Sequence, residues 1–115
     1  MEKLGKVKID NEVLGMIAAI ATAKVPGVHR ISRGFVGGVS EFFGKKAPEK
    51  GIRVSISEDE VSFELGVILD YGVDIPEVAW QIQKSVKNAV EKMSNLKVKE
   101  VNIEVRGIHL ERGET

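Results

Sequence analysis

Residues 51–70, GIRVSISEDEVSFELGVILD, decide the fold. Ile52, Val54 and Ile56 alternate with Arg53, Ser55 and Ser57, the two-residue period of a strand that buries one face. Glu58, Asp59 and Glu60 read as a polar hairpin turn. The return strand then sets Val61, Phe63, Leu65, Val67 and Leu69 on one face and Ser62, Glu64, Gly66, Ile68 and Asp70 on the other. One side of this hairpin is core and the other is mostly wet.

Toward the C-terminus, Asp74 can cap a helix, and Pro76 suits its first turn, where a missing amide costs nothing. Ile75, Val78, Ala79, Ile82, Val86, Ala89, Val90 and Met93 then fall in one helical stripe. Lys84, Lys87 and Glu91 lie opposite, beside Trp80, which sits ~140° from the stripe centre on an ideal wheel. Ser94 and Asn95 end this helix. Val98, Val101, Ile103 and Val105 restore a strand to about Leu110, and the tail 111–115 is expected to fray.

Toward the N-terminus lies a different kind of segment. Residues 33–51, RGFVGGVSEFFGKKAPEKG, place Phe35, Phe42 and Phe43 among glycines and lysines. A flexible insert of this length is unusual inside a small domain and is commonly functional. Phe35, Val36, Val39, Phe42 and Phe43 recur at helical spacing before Lys45 and Lys46, as in membrane-interface helices. Gly37 and Gly38 oppose that reading, since each costs ~1 kcal/mol against alanine in a helix. The phenylalanines therefore read first as a cover for the domain's own core, next as a self-assembly surface, and last as a direct lipid contact. Before the insert, Leu4–Ile9 reads as a short strand. Asp10 and Asn11 offer caps for a helix carrying Val13, Leu14, Ile17, Ala18, Ile20 and Ala21 to about Lys24. Pro26 and Gly27 stop that helix, and Val28–Ser32 is another short strand.

The chain thus reads as a single domain over 1–115, an α+β two-layer sandwich with two helices on one face of a mostly antiparallel sheet of about four to five strands. The second sheet face would carry Arg53, Ser55, Glu64, Asn102, Glu104 and Arg106, with Ile68 and Ile108 among them. That face reads either as a solvated surface or as a partner-binding one.

Composition narrows the function. The 115 residues include no cysteine, which removes disulfides, thiolate zinc sites and cysteine nucleophiles. Seventeen Lys and Arg balance seventeen Asp and Glu, so no global field draws nucleic acid or an anionic bilayer. The N-terminus lacks the basic, apolar and small-residue order of a secretory signal. The apolar run Val13–Ala23 falls short of the ~20 residues of a membrane span. His29 and His109 have no metal-ligand spacing, and Gly34, Gly37 and Gly38 do not form a phosphate loop. No catalytic, cofactor or metal residue stands out, and the reading is of a protein that binds rather than reacts.

Three stretches together, GKVKIDNEVLGMIAAIATAKVPGVHRIS, KGIRVSISEDEVSFELGVILDYGVDIPEVAWQIQKSVKNAVEKM and VKEVNIEVRGIHL, resemble the alkaline-shock-protein family of Gram-positive-type bacteria over about Gly5 to Leu110. The most specific pieces are Val25-Pro26-Gly27, the run Tyr71-Gly72-Val73 leading to Ile75-Pro76-Glu77-Val78, and Val101-Asn102-Ile103 with Val105. The resemblance implies a small cytoplasmic, non-enzymatic protein of envelope homeostasis and stress. It also implies self-association into a homo-oligomer and attachment near the membrane through a membrane-anchored protein partner. Other members are linked to malonyl-CoA supply for fatty-acid synthesis, which gives the alternative of a regulator acting through an enzyme partner. The family supplies no catalytic residues. Candidate partner-binding residues are Trp80, Phe35, Phe42, Phe43, Lys84 and Lys87, with tryptophan the type most enriched at interface hot spots.

Overall fold

The computed structural model describes residues 4–32 and 51–111. In chain order the elements are helix α1 (Asn11–Ala23), strands β1 (Val28–Ile31), β2 (Ile52–Ser57) and β3 (Glu60–Asp70), helix α2 (Ile75–Ser94) and strand β4 (Lys97–His109). Two helices cover one face of a four-stranded sheet, the expected α+β arrangement.

β3 is the spine. Val61, Phe63, Leu65, Val67 and Leu69 point into the helices and are almost fully buried, as the alternation requires. β2 returns on β3 as an antiparallel hairpin in register Ser57↔Glu60. The turn is Glu58–Asp59 alone, with Glu58 in the left-handed region at φ 60°, and Glu60 already belongs to the strand. β4 runs parallel to β3 along its whole length, because the twenty residues of α2 carry the chain back to the start of β3. The Lys97 amide donates to the Asp59 carbonyl and fixes where β4 begins.

On the other edge of β3, β2 pairs with residues 60–65 and β1 with residues 67–69, both antiparallel. The two short strands therefore lie end to end. They meet at Gly66, whose amide donates to the Gly51 carbonyl at 2.8 Å and whose carbonyl accepts from the Ser32 amide at 2.8 Å. Gly51 has φ +87°, and a Cβ there would stand 2.0 Å from the Ser32 oxygen. The chain thus leaves the sheet at Ser32 and rejoins it beside the same residue.

α2 starts as expected. The Asp74 carboxylate accepts from the Glu77 amide at 3.1 Å, proline occupies the first turn, and Asn95 ends the helix in the left-handed region at φ 68°. Val78, Ile82, Val86 and Val90 are buried, whereas Ile75 and Met93 at the two ends are exposed. Gly27, in the Val-Pro-Gly turn after α1, has φ +100° and would bring a Cβ within 3.1 Å of Val78. Its bareness lets the turn pass close beneath α2.

Three further expectations need correction. Leu4–Ile9 is no strand. Leu4 and Val7 are 95% and 92% exposed and only Ile9 packs on the core, because alternation supplies a period but no partner edge, and the segment runs directly into α1. Asp10 occupies the cap position of α1, but its side chain makes no cap hydrogen bond. Ile108 does not share the second sheet face with Ile68. A register slip between Val67 and Ile68 pairs Ile108 with Leu69 and Gly107 with Ile68.

Candidate interaction surfaces

The outer face of α2 presents Trp80, 52% exposed, with the Lys84 ammonium 5.5 Å from its ring centroid. This is a cation–π pair on a half-exposed ring. Around it the polar groups are internally matched. Gln81 donates to Glu77 at 2.9 Å, and Lys87 donates to Glu91 at 3.0 Å, both at helical i,i+4 spacing. Glu91 also accepts the Val98 amide at 2.9 Å, linking α2 to β4. That amide, and then Lys87, hold the Glu91 carboxyl below its ordinary value. Of the sequence-based candidates, the structure brings Trp80 and Lys84 together and engages Lys87 within the fold. Phe35, Phe42 and Phe43 lie outside the described residues.

The second sheet face is a shallow depression of about 220 Å³ lined by Arg53, Glu64, Gly66, Asn102, Glu104 and Arg106 among others. Its charges are paired across and along strands, Arg53 with Glu64 at 3.7 Å and Arg106 with Glu104 at 3.1 Å. Arg106 lies across Gly66, where a Cβ would stand 2.7 Å from its Nε, and Ile68 lies likewise across Gly107. Each glycine is the floor beneath a neighbour's side chain, so the face is partly covered by itself.

At one end of the sheet the structure joins residues that the sequence left apart. The rings of His29 and His109 stack at 3.8 Å with planes 5° apart, and His29 Nδ1 lies 3.7 Å from Asp70. β1 and β4 bracket β3 here, and Asp70 pairs in register with His109. Only the strand registers could have revealed this cluster, since the two histidines are far apart in sequence. Among the described residues, no group of three or more His, Cys, Asp or Glu is placed to hold a metal ion.

α1 supplies the third surface. Leu14, Ile17, Ala18 and Ala21 are buried, but Val13, Met16 and Ile20 are 46%, 56% and 54% exposed. Helical spacing in the sequence groups Val13 and Ile20 with Leu14, Ile17, Ala18 and Ala21 without separating a buried from an exposed face. Val13 and Ile20 face outward because the sheet selects the 14, 17, 18, 21 phase of a helix that is apolar nearly all round. From Val13 to Ala23 there is no charged residue.

Comparison with known proteins agrees over almost the whole chain. Residues 1–110 match the model of a family described as cell envelope-related. The uncharacterized protein YqhY of Bacillus subtilis is 36% identical over 108 residues, covering 94% of this chain and 80% of that protein. The uncharacterized protein Spy1535 of Streptococcus pyogenes is 38% identical over 112 residues, covering 96% and 84%. A Streptococcus pyogenes protein named a stress response regulator gls24 homolog is 24% identical, covering 88% of this chain and 57% of that protein. Among solved structures, one of MamM CTD shares the fold with a TM-score of 0.52 at 14% identity, covering 84% of this chain and 93% of that one. Among the described residues no helix is long and apolar enough to cross a membrane. The chain belongs to the alkaline-shock-protein (ASP23) family, whose function is cell envelope-related.

Proposed function

We propose that this protein is a non-enzymatic scaffold of cell-envelope stress and homeostasis, which self-associates and docks to a membrane-anchored protein through the outer face of α2. The observation that carries the docking surface is Trp80. It is a large half-exposed ring beside Lys84, on a helix where Glu77 accepts from Gln81 and Lys87 pairs with Glu91. A buried rigid aromatic ring contributes heavily to binding, whereas an exposed one contributes little to stability. The names of the relatives support the envelope and stress setting.

The test is affinity capture of the full chain from membranes solubilised in detergent. An integral-membrane protein is expected as the main co-purifying species, and Trp80→Ala is expected to lose it with thermal stability nearly unchanged. If Trp80→Ala instead lowers the melting temperature markedly, the ring is a structural element and the docking face lies elsewhere. A carboxylase subunit as the main captured species would replace this reading with that of a regulator of fatty-acid synthesis.

A further inference from the structure

We infer that the partner segment docked on the outer face of α2 is acidic and carries an apolar side chain, its carboxylate meeting Lys84 and its apolar group covering Trp80. This names the chemistry of the partner in the reading above and rests on that reading.

Lys84 differs from the charges beside it. Its helical neighbours at three and four residues are Trp80, Gln81, Lys87 and Asn88, and none is an acid. Among the described residues Lys84 forms no salt bridge, whereas Lys87 pairs with Glu91 at 3.0 Å. What holds the Lys84 ammonium is the indole ring, 5.5 Å from its charge. The surroundings add to that charge. Residues 78–100 hold Lys84, Lys87, Lys92, Lys97 and Lys99 against Glu91 and Glu100, in a chain where bases and acids are equal in number. Of those two acids, Glu91 is already engaged by Lys87 and by the Val98 amide, and Lys97 acts on it as well.

A cation without a carboxylate of its own, held against a half-exposed ring, is complementary to an anion attached to an apolar group. Covering the ring also takes water from the ammonium beside it, and a charge that loses water needs a counter-ion. The helix sets the direction of the contact. Glu77 and the capping carboxylate of Asp74 lie on the N-terminal side of Trp80, and Lys84 and Lys87 on the C-terminal side. An acidic residue of the partner is therefore repelled at one end of the ring and attracted at the other, which places it over Lys84. An anionic bilayer is the poorer occupant, because a helix lying in a membrane surface buries a broad apolar face in it. α2 turns Val78, Ile82, Val86 and Val90 into the core, and Trp80 stands outside among Glu77, Gln81 and Lys84.

Capture by the full chain from detergent-solubilised membranes, repeated across salt and charge variants, tests the inference. The captured amount is expected to fall about fivefold or more between about 50 and about 500 mM NaCl, since exposed charges are screened over that range. Lys84→Gln is expected to weaken capture about threefold and Lys84→Glu about tenfold or more, both with melting temperature preserved. Lys84→Arg keeps both the charge and the ring contact and should retain capture, and Lys24→Glu, on α1, should behave as wild type. Trp80 is the single tryptophan of the chain, so its fluorescence reports on the same surface. Vesicles rich in phosphatidylserine are expected to leave its emission unchanged. Capture that is lost in Trp80→Ala but insensitive to salt and to Lys84→Glu would overturn this inference and leave the docking face standing. A loss in Lys84→Glu that comes with a markedly lower melting temperature and is absent in Lys84→Gln would overturn it too. An emission shift on the vesicles that Lys84→Glu abolishes would replace the acidic segment with a lipid headgroup. Capture of no membrane protein by the wild type would remove the docking reading itself, and this inference with it.

Discussion

α1 and α2 lie side by side on the same sheet face and are built on opposite plans. α2 buries Val78, Ile82, Val86 and Val90 and turns Glu77, Lys84, Lys87 and Glu91 outward, where several pair at i,i+4. α1 buries Leu14, Ile17, Ala18 and Ala21 and turns Val13, Met16 and Ile20 outward. The inner faces do the same work for the fold. The difference is outside, so a surface helix is best read for function from the residues its core does not need.

The contrast is easiest to break by truncating one isoleucine in each helix. Ile82→Ala, at a fully buried position, is expected to cost about 2–5 kcal/mol in chemical denaturation. Ile20→Ala, under conditions where the protein is monomeric, should stay within about 0.5 kcal/mol of wild type. A comparable loss at both sites would mean that the outer face of α1 is covered within its own chain. The two N-termini sharpen the same comparison on a smaller scale. Asp74→Ala removes a real cap and should cost about 1 kcal/mol, whereas Asp10→Ala, whose side chain makes no cap bond, should cost a few tenths.

The smallest effect concerns how α2 is tied to β4. The Glu91 carboxyl is held low by the Val98 amide and by Lys87, so it favours folding while ionised. That contribution is present above the carboxyl's unfolded value and fades as the pH falls through its lower folded value. Glu91→Gln should therefore flatten part of the acid limb of a stability–pH curve and leave its neutral and alkaline parts parallel to wild type. An unchanged acid limb would show that the link to Val98 has no bearing on acid stability.

Much of the architecture was legible because one strand carries so regular an alternation. With β3 identified, the hairpin, the Asp74–Pro76 helix start and the final strand followed from short-range chemistry. What was not legible depends on distant pairing. Nothing in Leu4–Ile9 says that no strand edge awaits it, and nothing near Val28 says that β1 will continue the line of β2. The slip that moves Ile108 to the other face is likewise a property of two strands rather than of one. For the candidate surfaces, Trp80 stood out from helical geometry alone, and its link to Lys84 follows from i,i+4 spacing. The outward stripe of α1 was not legible because alanines among larger residues give two overlapping apolar phases, and only packing on the sheet chooses between them.

The meeting of Ser32 and Gly51 at Gly66 has an evolutionary consequence. Because chain exit and re-entry share one point, the sheet sets no length for what is threaded between them. Lengthening a flexible connection is cheap, about 0.6 kcal/mol for each doubling. The edge of β3 acts as a splice, where a segment could be exchanged, shortened or extended while the hydrogen bonds of Gly66 hold the two halves in line. Divergence among proteins built on this frame would then be concentrated at one seam in the sheet, with the core evolving under separate constraints.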